Sequence, residues 1–202
     1  MNKLEKLVPN QFYHIYNRGN NKEDIFVQDE NYNYFLNLYD KYISPIGDTY
    51  VYCLLKNHFH ILLKIKGELE LPGKYVYDNS KLYLPFSNFF NSYSKSINKR
   101  FNRSGSLFEE RFKRKAISTN EYLMCIICYI HLNPQKHQIV KDFRKYPYSS
   151  YQSIISDKNT KLKRQEVINF FGSKVNFIEF HNGMSIVLNK LLIDIEQQVD
   201  GC

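Results

Sequence analysis

Lys56-Asn57-His58-Phe59-His60-Ile61-Leu62-Leu63-Lys64-Ile65-Lys66 is the stretch from which the rest of this chain is best read. In a β-strand successive side chains point to opposite faces. Phe59, Ile61, Leu63 and Ile65 therefore make one wholly apolar face, and His58, His60, Leu62, Lys64 and Lys66 make the other. The apolar face is the natural core side. The two imidazoles then stand side by side on the opposite face, roughly 7 Å apart by strand rise. Two neutral imidazoles on one strand can share a divalent metal once a third ligand arrives from elsewhere. An ordinary strand with two packed or surface histidines carries the same short pattern, so the surrounding sequence has to discriminate.

Upstream, Thr49–Leu54 reads as a strand that turns at Lys56-Asn57 into the histidine strand. Phe12–Tyr16 is a first strand, closed by the turn Asn17-Arg18-Gly19-Asn20. Between them lies a helix with Asp29 as N-cap, Tyr32, Phe35, Leu36, Tyr39 and Ile43 on its apolar face, and Pro45 and Gly47 at its end. Downstream, Gly67–Pro85 is an irregular excursion. Phe86–Phe101 returns to helical spacing, and Arg111–Ile117 fits a fourth strand. The order β-α-β-β-α-β is that of a ferredoxin-like (split βαβ) antiparallel sheet, an α+β fold. In that topology the first strand lies beside the histidine strand at the sheet centre, and the histidine face is expected to be open.

Ser118-Thr119-Asn120-Glu121 fits a capping box with Ser118 as the cap. The helix that follows should run from Thr119 to about Leu132, with Pro134 enforcing its end. It carries no charge from Tyr122 to Ile130 and should be largely buried. Tyr122, Ile126, Tyr129 and Asn133 share one stripe, and Leu123, Ile127 and Ile130 an adjacent one. Beyond the connector Tyr146–Tyr151, Lys161–Phe171 is a short basic helix ended by Gly172. Ser173 caps a further turn, and Met184–Val199 is an amphipathic terminal helix. Residues 1–151 thus read as one domain and 152–202 as a helical C-terminal extension.

Composition narrows the function class. The 202-residue chain carries a net charge of +8, which points to a polyanionic partner, nucleic acid before membrane. The Lys95–Lys115 segment alone is net +6, through Lys95, Lys99, Arg100, Arg103, Arg111, Lys113, Arg114 and Lys115. Phe101, Leu107, Phe108 and Phe112 interleave with that charge, which favours a nucleic-acid groove over a solvated face. Four cysteines make no disulfide framework, and Cys125-x-x-Cys128 falls in a helical pattern without a second pair. The amino end lacks an apolar leader-type run and no apolar stretch approaches membrane-spanning length, so the chain reads as cytoplasmic.

Tyr129 and Asn133 are four residues apart and meet on one helix face. Aimed at two histidines, they offer a hydroxyl nucleophile and an amide oxygen as a third, hard ligand. Bound Mg²⁺ or Mn²⁺ at such a site would polarise a scissile phosphate. The attack would leave a phosphotyrosine and free a 3′-hydroxyl that can later rejoin strands.

At this point the residues resemble a known family, the single-tyrosine HUH transposases, and most nearly their REP-associated branch. The likeness spans about residues 11 to 151. It rests on Tyr13-His14-Ile15-Tyr16-Asn17-Arg18-Gly19, Asn57-His58-Phe59-His60, Gly105-Ser106-Leu107-Phe108 through Arg111-Phe112, Tyr129-Ile130-His131-Leu132-Asn133-Pro134 and Tyr148-Ser149-Ser150-Tyr151. It implies that His58 and His60 bind a divalent metal with Asn133 as third ligand. It further implies that Tyr129 cuts single-stranded DNA near a hairpin, with Arg18 and the basic segment on the DNA; a homodimer is compatible with it. His137-Gln138 replace the usual Ala-Gly, Tyr148 stands where Trp is common, and the Gly67–Pro85 excursion is longer than usual.

Two other classes compete. A non-catalytic nucleic-acid binder on an RRM-like sheet shares the topology and charge, but the chain has no RNP1-type run. A zinc hydrolase on His58 and His60 would need a third strong ligand and a carboxylate base, which no motif supplies.

Overall fold

The computed structural model describes residues 5–184. Its sheet is built from β1 (Phe12–Arg18), β2 (Gly47–Leu55), β3 (His58–Ile65) and β4 (Lys113–Ile117), with α1 (Asp29–Ile43) between the first two. All neighbours pair antiparallel in the order β2-β3-β1-β4, so the histidine strand and β1 occupy the centre. The fold is α+β and matches the ferredoxin-like order expected from the strand pattern.

Alternation along the central strands sorts their side chains into two cores. Tyr13 and Ile15 of β1 join Phe59, Ile61, Leu63 and Ile65 of β3 under Phe35, Tyr39, Phe89 and Tyr93, which come from α1 and α3 (Leu84–Arg100). The excursion before α3 is a series of short helical turns, among them α2 (Gly73–Val76), and Pro85 sits in the first turn of α3. Proline is favoured there because the missing N–H would be unpaired anyway.

The other sheet face is closed, and this corrects the expectation of an open histidine face. Leu62, Val51, Cys53 and Leu55 form a second core with Leu123, Ile126, Ile127 and Ile130 of α4 (Asn120–Lys136). A helix this apolar cannot leave either stripe in water, so it lies across the sheet. α5 (Tyr151–Ile155), α6 (Arg164–Phe170) and a helical segment at 174–184 add Ile154, Val167, Phe171, Phe177 and Met184 to the same core. The rest of the expected Met184–Val199 helix lies outside the described residues.

Three boundary details differ from the sequence reading. Gln28 caps α1 in place of Asp29, its backbone amide donating to Asn31 Oδ1 at 2.9 Å and its carbonyl accepting from the Asn31 amide at 3.0 Å. Thr119, not Ser118, caps α4, its hydroxyl accepting from the Tyr122 amide at 3.2 Å. Pro134 lies within α4, which continues to Lys136. The proline forfeits only one intrahelical bond so near the end, and the Ile139 amide donates to its carbonyl at 2.9 Å. Gly172, at φ 79°, ends the turn after α6, and the Ser173 hydroxyl accepts from the Asn176 amide at 3.1 Å to start the next helix. Among the described residues no helix is long and apolar enough to cross a membrane.

Candidate active site

Antiparallel register decides what the histidines meet. Tyr16 pairs with His60 and Arg18 with His58, so β1 lays His14, Tyr16 and Arg18 on the histidine face. His14 reaches diagonally to His60, with its Nε2 2.9 Å from His60 Nδ1. The His14 ring stacks on Tyr16 (centroids 4.9 Å apart) and on His60 (5.1 Å). α4 supplies Tyr129, whose ring stands edge-on to His60 at 5.4 Å and to His14 at 6.0 Å. At the other end His58 meets His60 at 5.3 Å and His137 at 5.0 Å. Four imidazoles therefore run in a row, His14–His60–His58–His137, alongside the tyrosine.

Burial fixes their protonation. Desolvation pushes His14 and His58 down to about 3 and holds His60 well below the ordinary imidazole value, so all three are neutral at pH 7. The neighbouring histidines and Lys136 add to the shift at His60. His58 has a defined tautomer. Asn57 donates its amide nitrogen to the Lys22 carbonyl, so its Oδ1 faces His58 Nδ1 at 2.7 Å and can only accept. The hydrogen of His58 is then on Nδ1, and Nε2 keeps its lone pair.

Asn133 completes the arrangement. Its Nδ2 donates to the Tyr129 carbonyl at 2.8 Å, while its Oδ1 is buried with no hydrogen-bond partner among the described residues. The amide lies near enough to favour protonation of His58. A buried acceptor without a donor is costly, and a divalent cation would satisfy it. The donor set of His58, His60 and Asn133 suits such an ion: two imidazole nitrogens and one hard oxygen. Among the described residues no group of three or more His, Cys, Asp and Glu is placed to hold a metal. The set is complete only with the asparagine.

The structure divides the basic residues. Lys113 and Lys115 pair with Tyr16 and His14 and lie on the histidine face, Lys113 Nζ standing 5.9 Å from the Tyr16 ring centre. Arg18 opposes His58 and lies 3.8 Å from Glu109. Arg114 points to the other face, where it donates to the Glu5 carbonyl and covers the Phe112 ring at 4.9 Å. Lys95, Lys99 and Arg100 are exposed on α3, on the far side of the sheet from the histidines, where Arg100 donates to Gln28 at 2.8 Å. Arg103, just beyond α3, pairs with Glu23. Arg111 is exposed in the loop before β4 with a left-handed backbone, φ 53°.

Three residues of the site escaped the sequence reading as site residues: His14, Lys136 and His137. Lys136 places its ammonium 5.7 Å from the Tyr129 ring centre. His14 could have been noticed, because it alternates with Tyr16 on one strand face, but its contact depends on cross-strand register. Gly19 next to Arg18 has a direct explanation, since a Cβ there would stand 2.0 Å from the Glu23 carbonyl oxygen.

No protein-family model and no curated protein sequence matches the chain. The fold, however, is shared with a solved structure of a REP-associated tyrosine transposase bound to a REP hairpin. The two align with a TM-score of 0.61 at 12% identity, over 78% of this chain and 87% of that one. At that identity the likeness is one of fold.

Proposed function

We propose that this protein is a metal-dependent single-stranded DNA nicking and joining enzyme, a transposase that acts through a covalent 5′-phosphotyrosine at Tyr129. The observation that carries the reading is the meeting of Tyr129 with His60 beside Asn133, one helical turn away, whose Oδ1 has no hydrogen-bond partner among the described residues. In the reaction the Tyr129 hydroxyl oxygen bonds to phosphorus, the bond from phosphorus to the 3′-oxygen breaks, and the proton ends on the released 3′-hydroxyl. Mg²⁺ or Mn²⁺ held by His58, His60 and Asn133 would supply charge stabilisation to the phosphate oxygens. His14 orients His60, Asn57 orients His58, and the Tyr129 carbonyl orients Asn133. Lys113, Lys115 and Arg18 neutralise backbone phosphates on that face. The catalytic unit is residues 1–151, with 152–202 as an extension whose described part, residues 152–184, shares the core with α4.

The likeness in fold to a hairpin-bound transposase supports a hairpin-bearing single strand as the substrate. An RRM-like binder is not favoured, because bases stack on an open sheet face in that mode, whereas here His14 and Leu62 are fully buried under α4. The test is incubation with single-stranded hairpin DNA, with and without Mn²⁺, followed by denaturing electrophoresis. DNA that stays on the protein after denaturation supports the proposal; metal-independent binding with no covalent species refutes it.

A further inference from the structure

The C-terminal extension is bonded to the turn of α4 that carries Tyr129 and Asn133. Those two side chains share one helix face, and His131, two residues from each, projects from the opposite one. There His131 Nδ1 lies 3.0 Å from His181 Nε2, and His131 Nε2 lies 2.9 Å from the Ser150 hydroxyl. His131, Ser150 and His181 are all fully buried. His181 belongs to the helical segment at 174–184, and its ring sits among those of Phe143, Tyr151, Phe171 and Phe177.

The hydrogens along this run have one consistent assignment. The Phe177 carbonyl, 2.7 Å from His181 Nδ1, only accepts, so that nitrogen carries the ring hydrogen and Nε2 keeps a lone pair. His131 then donates from Nδ1, and its own Nε2 accepts from the Ser150 hydroxyl. The Ser150 oxygen in turn accepts from the Tyr52 amide at 2.8 Å. The Tyr52 carbonyl, 3.1 Å from that hydroxyl, already receives the Ser150 amide at 2.9 Å. Tyr52 adjoins Cys53, the residue of β2 that pairs with His60. A satisfied series of hydrogen bonds thus leads from the extension, through the back of α4, to the strand beside His60.

Such a series fixes more than packing does. An apolar core tolerates small shifts between a helix and a sheet, whereas hydrogen bonds hold only over about 2.7–3.2 Å and near-linear angles. A rotation of α4 that broke them would strand a buried N–H, and it would carry Tyr129 and Asn133 away from the histidine strand. We propose that His181 is a positioning residue, through which the extension sets the rotation of α4 so that Tyr129 and Asn133 face His60 and His58. The inference rests on the reading of Tyr129 as nucleophile and brings the extension into the working of that site.

The test uses the full chain and two readouts. One is Mn²⁺ affinity of the DNA-free protein by calorimetry; the other is the single-turnover rate of covalent adduct formation on single-stranded hairpin DNA. His181→Phe keeps a ring in the aromatic pocket but leaves His131 Nδ1–H without an acceptor. It should slow adduct formation about 10- to 100-fold, the scale of a misplacement of about 1 Å, and weaken Mn²⁺ binding about ten-fold, with DNA affinity unchanged. Ser150→Ala, a smaller change at the other end of the series, should shift both readouts in the same direction. His181→Gln, whose amide oxygen can accept from His131, should recover most of the parental behaviour. Val167→Ala, which removes methyl groups from the same core and no bond of the series, should lose stability alone. Parental readouts in both His181→Phe and Ser150→Ala, or a His181→Gln no better than His181→Phe, overturn the proposal. A parent protein that forms no adduct defeats the Tyr129 reading and this inference with it; a reactive parent with unaffected variants defeats this inference alone.

Discussion

Nε2 of His14 and Nδ1 of His60 lie 2.9 Å apart between two buried rings, and among the described residues no other hydrogen bond reaches the His14 ring. One proton is shared between them. If His60 donates, its Nε2 lone pair is free for a cation; if His14 donates, that nitrogen carries hydrogen. A metal at the proposed site would select the first arrangement, with His14 as the acceptor that turns His60 into a ligand.

Removing that acceptor should therefore weaken metal binding. His14→Ala is expected to lower Mn²⁺ affinity by about 10- to 100-fold, the usual effect of losing such an outer partner. His14→Gln, which can still accept, should keep most of it. Calorimetric Mn²⁺ titration of the DNA-free protein measures both, and equal affinities for His14→Ala and the parent would contradict the assignment.

The basic strand makes a sharper distinction than its sequence suggested. Lys113 and Lys115 lie on the histidine face, whereas Arg114 is committed to Glu5 and Phe112. Neutralising Lys113 and Lys115 should lower the salt dependence of single-strand binding by about one phosphate contact each. Arg114→Ala should leave that slope unchanged while costing some stability. Affinity measured across a salt series for the three variants checks this.

A third expectation concerns acid. His131 and His181 are buried and 3.0 Å apart, and His131 also meets the Ser150 hydroxyl at 2.9 Å. Burial lowers His181 to about 4 and His131 well below the ordinary value. Both pKa values are lower in the folded state, so the unfolded chain binds more protons below about pH 6.5, and stability falls as pH drops from there toward 4. For this pair the loss between pH 7.5 and 5 is on the order of 2–4 kcal/mol. His181→Gln should reduce the slope of stability against pH by about one proton, as read by urea unfolding at stepped pH; an unchanged slope would mean that His181 is protonated in the fold.

What could be read from the sequence follows from period and spacing. The alternation of Phe59, Ile61, Leu63 and Ile65 against His58 and His60 is local, and so is the four-residue step from Tyr129 to Asn133. Both place their residues without knowledge of partners. The His14–His60 bond depends on the register of β1 against β3, which no local pattern encodes. The closed histidine face follows from Leu62 and a helix apolar on both stripes, a packing fact rather than a strand fact. The basic run looked continuous because sequence order hides strand alternation, which sends Arg114 away from Lys113 and Lys115. Ser118 and Thr119 are both good caps, and only the backbone decides between them.

The most direct measurement compares two tyrosines on one helix. Tyr122 lies two turns before Tyr129, with Lys115 5.7 Å from its ring centre and no hydrogen-bond partner for its hydroxyl among the described residues. Each Tyr→Phe change removes one oxygen and keeps the ring packing. With Mn²⁺ and single-stranded hairpin DNA, Tyr122→Phe should still form a covalent adduct that mass spectrometry maps to Tyr129. Tyr129→Phe should form none, yet still bind DNA and metal. DNA recovered on Tyr122, or cleavage persisting in Tyr129→Phe, would contradict the account.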